Sequence, residues 1–132
     1  MNTPHGSYTI EVEHNIVHMR YVGMFNAATA SLYAEEAKDK IRQLPYDEFF
    51  ILGDLRKFLG ATPDAYAIVN KFNHWVNTQN LRAKALVISN QVVAEIARER
   101  ISAVKQQNLQ YFKGTEEAIN WFYEIENRQK VG

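Results

Sequence analysis

The stretch 49–70, FFILGDLRKFLGATPDAYAIVN, holds the side chains of this sequence best suited to chemistry. Asp54 and Asp64 are two carboxylates that can work as acid and base or hold a cation. Thr62 stands where a helical pattern begins, and a phosphate on its hydroxyl would meet free N–H groups and a favourable dipole. Arg56 and Lys57 can hold an anion above that helix start, and Phe58 can form a lip over an apolar pocket or a partner surface. Each also has a plainer explanation. Thr62 caps the helix, Asp64 is the first-turn acid that the dipole favours, Asp54 accepts turn N–H groups, and a lone basic pair is ordinarily solvated. Position still makes Asp54, Arg56, Phe58, Thr62 and Asp64 the candidate binding surface. Sites in open α/β sheets lie at the carboxyl ends of the strands, where this segment is expected as a strand (49–55), a loop (55–64) and a helix start.

Little else suggests catalysis. The chain has no cysteine, so thiolate nucleophiles, disulfides and Cys-type zinc sites are excluded. The four histidines are scattered without metal-ligand spacing, and there is no G-x-S-x-G, G-x-G-x-x-G or phosphate-binding loop. The expectation is a protein that is not an enzyme, with no catalytic residue, no metal and no cofactor. Lys plus Arg and Asp plus Glu stand at 15 each, which gives no general attraction to nucleic acid or an anionic membrane. No basic start followed by an apolar run marks a leader, and no membrane-spanning run occurs, so a cytoplasmic protein is expected.

The elements that must position the candidate residues follow from periodicity. From Tyr8 to Gly23 apolar and polar residues alternate around His14-Asn15, as in a hairpin with a two-residue turn. That register pairs Glu13 with Ile16 and Ile10 with Met19, and sets His18 across from Glu11, a pairing that favours the charged imidazole. A helix capped by Asn26 carries Ala30, Tyr33, Ala34, Ala37 and Ile41, and Pro45 stops it. Thr62 and Pro63 open a second helix. A strand at 83–89, a helix from Gln91 to about Gln107, a strand at 109–112 and a helix from Gly114-Thr115 complete the order ββαβαβαβα. Residues 1–6 are expected to be loose, and 7–128 to form one α/β domain. Its five-stranded sheet should be mostly parallel, with right-handed connections and strands two to five in sequential order.

The element order, "ILGDLRKFLGATPDAYAIV" and the closing "YFKGTEEAINWF" together resemble the SpoIIAA-like group of STAS-related domains over roughly residues 7–125. The resemblance implies a β-α superhelix and a non-catalytic regulatory or protein-interaction module. Anti-anti-sigma members carry a phosphorylatable Ser after the third strand. The corresponding place here reads Gly60-Ala61-Thr62-Pro63-Asp64, with no serine, so the expected module lacks an evident phosphoswitch serine. The closer resemblance is to uncharacterised bacterial SpoIIAA-like proteins, which are also compared with CRAL-TRIO lipid-transfer domains.

Two partner classes follow. A protein partner would use the segment after the third strand, whereas a small apolar or amphipathic ligand would need a closed pocket of a few hundred Å³ lined by the aromatic residues. The inner strands add a third expectation. Phe50, Leu52, Leu86, Ile88 and Val22 read as an outer apolar patch that a second copy would cover, giving a homodimer unless the helices split between the two faces.

Overall fold

The computed structural model describes residues 5–131, and its first element is the hairpin. β1 (Ser7–Glu13) and β2 (Ile16–Phe25) run antiparallel, with Glu13 opposite Ile16, Ile10 opposite Met19 and Glu11 opposite His18, as the alternation requires. His14 takes the left-handed backbone conformation, φ 53°, that turns the chain in two residues. Of the segment expected to be loose, residues 1–4 lie outside the described ones. His5 donates its backbone N–H to Asn26 Oδ1 at 3.3 Å and accepts the Thr29 hydroxyl at 2.6 Å.

Single strands and helices then alternate: α1 (Ala27–Arg42), β3 (Phe49–Ala61), α2 (Pro63–Val76), β4 (Leu81–Val87), α3 (Gln91–Arg100), β5 (Leu109–Phe112) and α4 (Thr115–Val131). Asn26 and Thr62 cap α1 and α2 with their side-chain oxygens. The sheet order is β1-β2-β3-β4-β5, with β2 to β5 mutually parallel, so spatial order equals chain order. Among the described residues no helix is long and apolar enough to cross a membrane.

Three boundaries differ from expectation. β3 continues to Ala61 instead of ending at Leu55, because β2 stays paired with it as far as Phe25. β4 starts at Leu81, which pairs with Phe49, and gives way at Ile88 to the Asn90 cap of α3. The third helix stops at Arg100 and is followed by a 3₁₀ turn over Ser102–Gln106. Side chains of α2 and of its C-terminal cap claim that turn's backbone: Asn70 Oδ1 accepts from Ala103 N and Asn77 Nδ2 donates to Ala103 O, both at 2.9 Å. A continuous helix would use those groups internally.

Both faces of the inner strands are covered from within one chain. On one side Val17, Met19, Phe49 and Ile51 pack under Tyr33, Ala37 and Ile41 of α1 and Phe72 and Val76 of α2. On the other, Phe50, Leu52, Ala83, Ala85 and Val87 pack under Ala118, Phe122 and Ile125 of α4. The expected outer patch is therefore divided. Leu52 pairs with Ala85, while Leu86 pairs with Gly53 and turns to the α2 side. With Phe50 and Leu52 fully buried by α4, that patch no longer argues for a homodimer.

Candidate functional site

Beyond Asp54, β3 loses β4 as a neighbour and remains paired with β2 alone. Two register shifts lie in this ribbon. Arg20 and Val22 face Asp54 and Lys57, and Gly23 and Met24 face Phe58 and Gly60, so β3 carries one extra residue at each place. Extra residues of this kind bend and twist a strand and re-aim its side chains. Gly60, at φ 128°, occupies a conformation that other residues rarely adopt. The ribbon ends where Thr62 N donates to Phe25 O at 3.0 Å and α2 begins.

The structure sorts the five candidate residues into three places. Asp54 is buried and grips Arg56 with both oxygens, Nε to Oδ1 at 3.0 Å and Nη2 to Oδ2 at 2.7 Å; its Oδ1 also accepts the Arg56 backbone N–H at 3.1 Å. Thr62 donates its hydroxyl to Asp64 Oδ1 at 2.5 Å, and both oxygens accept from Ala65 N, so this pair forms a helix cap. Phe58 is not a lip. It is 9% exposed and packs edge-on against Phe25 and Tyr21 at centroid distances of 5.7 and 6.3 Å. Replacing Phe58 therefore disturbs the core, and cannot serve as a stability-neutral probe of binding. Asp54 borders a groove with Arg20, Val22, Arg56 and Lys57, and Asp64 is not part of its wall. The two carboxylates do not share that groove.

The charges follow this geometry. The Arg56 guanidinium holds the Asp54 carboxyl below the usual carboxylate range, and Arg56 itself is shifted upward. The Thr62 hydroxyl similarly lowers Asp64. His18 departs from expectation: Glu11 pairs instead with Arg20 at 3.2 Å, and burial, then Arg20, lowers the imidazole pKa against the upward pull of Asp54 and Glu11. The lowered Asp54 stabilises the fold above the unfolded carboxylate pKa of about 4 and loses that contribution as pH falls through its folded value. Urea titrations across acid pH should show this loss in the native protein, and Asp54→Asn should flatten it. An unchanged acid limb would show that the pair contributes nothing.

The sequence reading missed two features. The first is the exposure of Met24 and Leu59, which join Val22, already read as an outer apolar residue, on the side of the ribbon opposite Tyr21, Phe25 and Phe58. Alternation along β2 reaches Met24 from Val22, but Leu59 turns outward only through the extra residues in β3, since strict alternation would set it on the face of half-buried Leu55. The second is Lys84, which the register places beside Ile51 on the α2 side, buried, with Nζ donating to Asn73 Oδ1 at 2.9 Å. Burial lowers its pKa to about 8. The signal was present, because a lysine inside a strand flanked by strands on both sides has no route to water. It lines a cavity of about 70 Å³ together with Tyr21, Phe25, Phe58, Tyr66 and Ile101. That volume falls short of the few hundred Å³ that a lipid carrier requires.

No family model matches the sequence, and no curated protein matches it. Solved structures do resemble it. An uncharacterized protein from the DUF3478 family with a SpoIIAA-like fold, from Shewanella loihica PV-4, aligns at a TM-score of 0.70 with 14% identity, over 92% of this chain and 98% of its own. The anti-sigma factor antagonist SpoIIAA in its unphosphorylated form aligns at 0.61 with 13% identity, over 89% of this chain and 98% of its own. The chain thus has a SpoIIAA-like α/β fold, as its element order and motifs suggested.

Proposed function

We propose that this protein is a non-catalytic regulatory module that docks a protein partner on the outer side of the β2–β3 ribbon and the adjoining start of α2. The observation that carries this reading is the apolar group Val22, Met24 and Leu59, which are 42%, 49% and 70% exposed on one short ribbon. Arg56 and Lys57 stand beside them, so the surface suits an apolar anchor flanked by acidic groups. Asp54 holds the Arg56 guanidinium in place, Thr62 and Asp64 shape the helix start, and Phe58 backs the ribbon from inside. The Thr62 hydroxyl is committed to the cap, so docking in this reading needs no phosphate. The fold shared with a protein named as an anti-sigma factor antagonist supports a regulatory role.

A photo-crosslinking residue at position 24, introduced in the native host, tests the site. The expected result is a defined crosslinked protein, absent when the probe sits at exposed Tyr123 and lost in Leu59→Asp or Lys57→Glu. Leu59→Asp should change stability by no more than about 0.5 kcal/mol, since the side chain contacts mainly water. Crosslinking to a second copy would identify the partner as this chain itself. Capture that survives both substitutions would overturn the reading.

A further inference from the structure

The cavity beneath the ribbon contains one amine and no carboxylate. Lys84 reaches it from β4, and its Nζ has one acceptor, Asn73 Oδ1 at 2.9 Å. That oxygen also accepts Gln107 Nε2 at 3.2 Å, so both of its lone pairs are taken, while Asn73 Nδ2 donates to Val69 O at 3.0 Å. The other titratable groups around the cavity are the phenols of Tyr21, Tyr33, Tyr66 and Tyr111 and the guanidinium of Arg98. Tyr21 and Tyr33 bond each other at 2.7 Å. None supplies a negative charge at neutral pH, and an ammonium here would keep two N–H groups unpaired in apolar surroundings. The neutral amine avoids that cost. A desolvated lysine in an apolar pocket is the form in which this side chain is nucleophilic.

We propose that Lys84 is a reactive amine that captures a small aldehyde or ketone as an imine inside this cavity. The nitrogen lone pair attacks the carbonyl carbon, the C–N bond forms and the π pair moves onto oxygen. Both amine protons pass to that oxygen, which departs as water while the nitrogen lone pair closes the C=N bond. No oxidant or reductant is needed. Asn73 acts as a positioning residue, holding the amine at the cavity wall. At about 70 Å³ the space is about half that of a cavity of about 150 Å³ that holds benzene, which suits a carbonyl compound of about two or three carbons better than an aromatic one.

Incubating the intact protein with acetaldehyde at about pH 8, followed by cyanoborohydride reduction and peptide mapping, tests the proposal, with the seven other lysines as internal controls. Because burial lowers the Lys84 pKa to about 8, Lys84 should be alkylated at least about tenfold faster than the mean of the others. Benzaldehyde should label the other lysines and spare Lys84, and Lys84→Met should lose the fast adduct. Should Lys84→Met fail to fold, the map of the native protein still decides. An unlabelled Lys84, labelling no faster than at the other lysines, or equal labelling by benzaldehyde would overturn the proposal.

Discussion

Phe122→Ala should cost about 3–5 kcal/mol of folding stability, the range for deleting a fully buried aromatic side chain. Phe122 is wholly buried and stacks on Phe50 with centroids 4.5 Å apart and ring planes 27° apart. It packs α4 onto the strands, within a core that also holds Leu52, Ala83, Ala85 and Val87 of the sheet and Ala118 and Ile125 of the helix. Those alanines cannot expand into the space left, so the cavity term adds in full. Domains of this size hold only about 5–15 kcal/mol in total, which puts the variant close to unfolding. Urea denaturation at neutral pH measures the loss. The neighbouring Tyr123, 52% exposed, provides the control, and Tyr123→Ala should shift stability by no more than about 0.5 kcal/mol. A loss below about 1 kcal/mol in Phe122→Ala would mean that α4 does not hold this face of the sheet.

Lys84→Met should raise stability at neutral pH by about 1–3 kcal/mol, an unusual sign for a buried substitution. The folded-state pKa is lowered to about 8, so the unfolded chain binds more protons above that value. Stability of the native protein therefore rises with pH from about 8 toward the unfolded value of about 10.4, and below 8 the full penalty of burying the cation persists. Buried tyrosines act oppositely. Burial raises Tyr21 and Tyr33, so ionisation of their unfolded counterparts near pH 10 favours unfolding. The clean window is about pH 8 to 9.5, where the native protein should gain about 1–2 kcal/mol and Lys84→Met should stay flat. Methionine keeps the apolar stem without the terminal nitrogen and leaves Asn73 Oδ1 bonded to Gln107. A native profile that is level in this window would show that Lys84 folds as a neutral-cost residue.

What could be read in the sequence was whatever depends on near neighbours in the chain. The hairpin register followed from strict alternation about His14-Asn15, and the caps at Asn26 and Thr62 from the residues beside them. β3 was read short because Arg56, Lys57 and Gly60 look like turn chemistry. In the structure they are the solvent side and the irregular points of a ribbon that only pairing with β2 extends. The break at Ile101 was invisible for a related reason: the competing groups, Asn70 and Asn77, lie on another helix and its cap. At the candidate site the same limit applies. The residue types suggested Asp54 with Asp64 and Arg56 with Lys57, whereas the fold pairs Asp54 with Arg56 and Thr62 with Asp64. Phe58 turned inward because of a shifted pairing, and Lys84 met Asn73 only through the fold.

The identity of spatial and chain order in the sheet has a consequence for synthesis on the ribosome. Each emerging βα unit can add to an edge already laid down, so the nascent chain can build the sheet outward from the first hairpin without waiting for a distant strand. The side covered by α4 does not share this advantage. Seventy residues separate Leu52 from Phe122, an interval of roughly 4–14 s at ordinary elongation rates of about 5–20 residues per second. Through that interval Phe50 and Leu52, joined by the β4 residues once these are made, form a bare apolar surface on the growing polypeptide. Such a surface is what a ribosome-associated chaperone binds, and it would be released when the final helix swings down onto it.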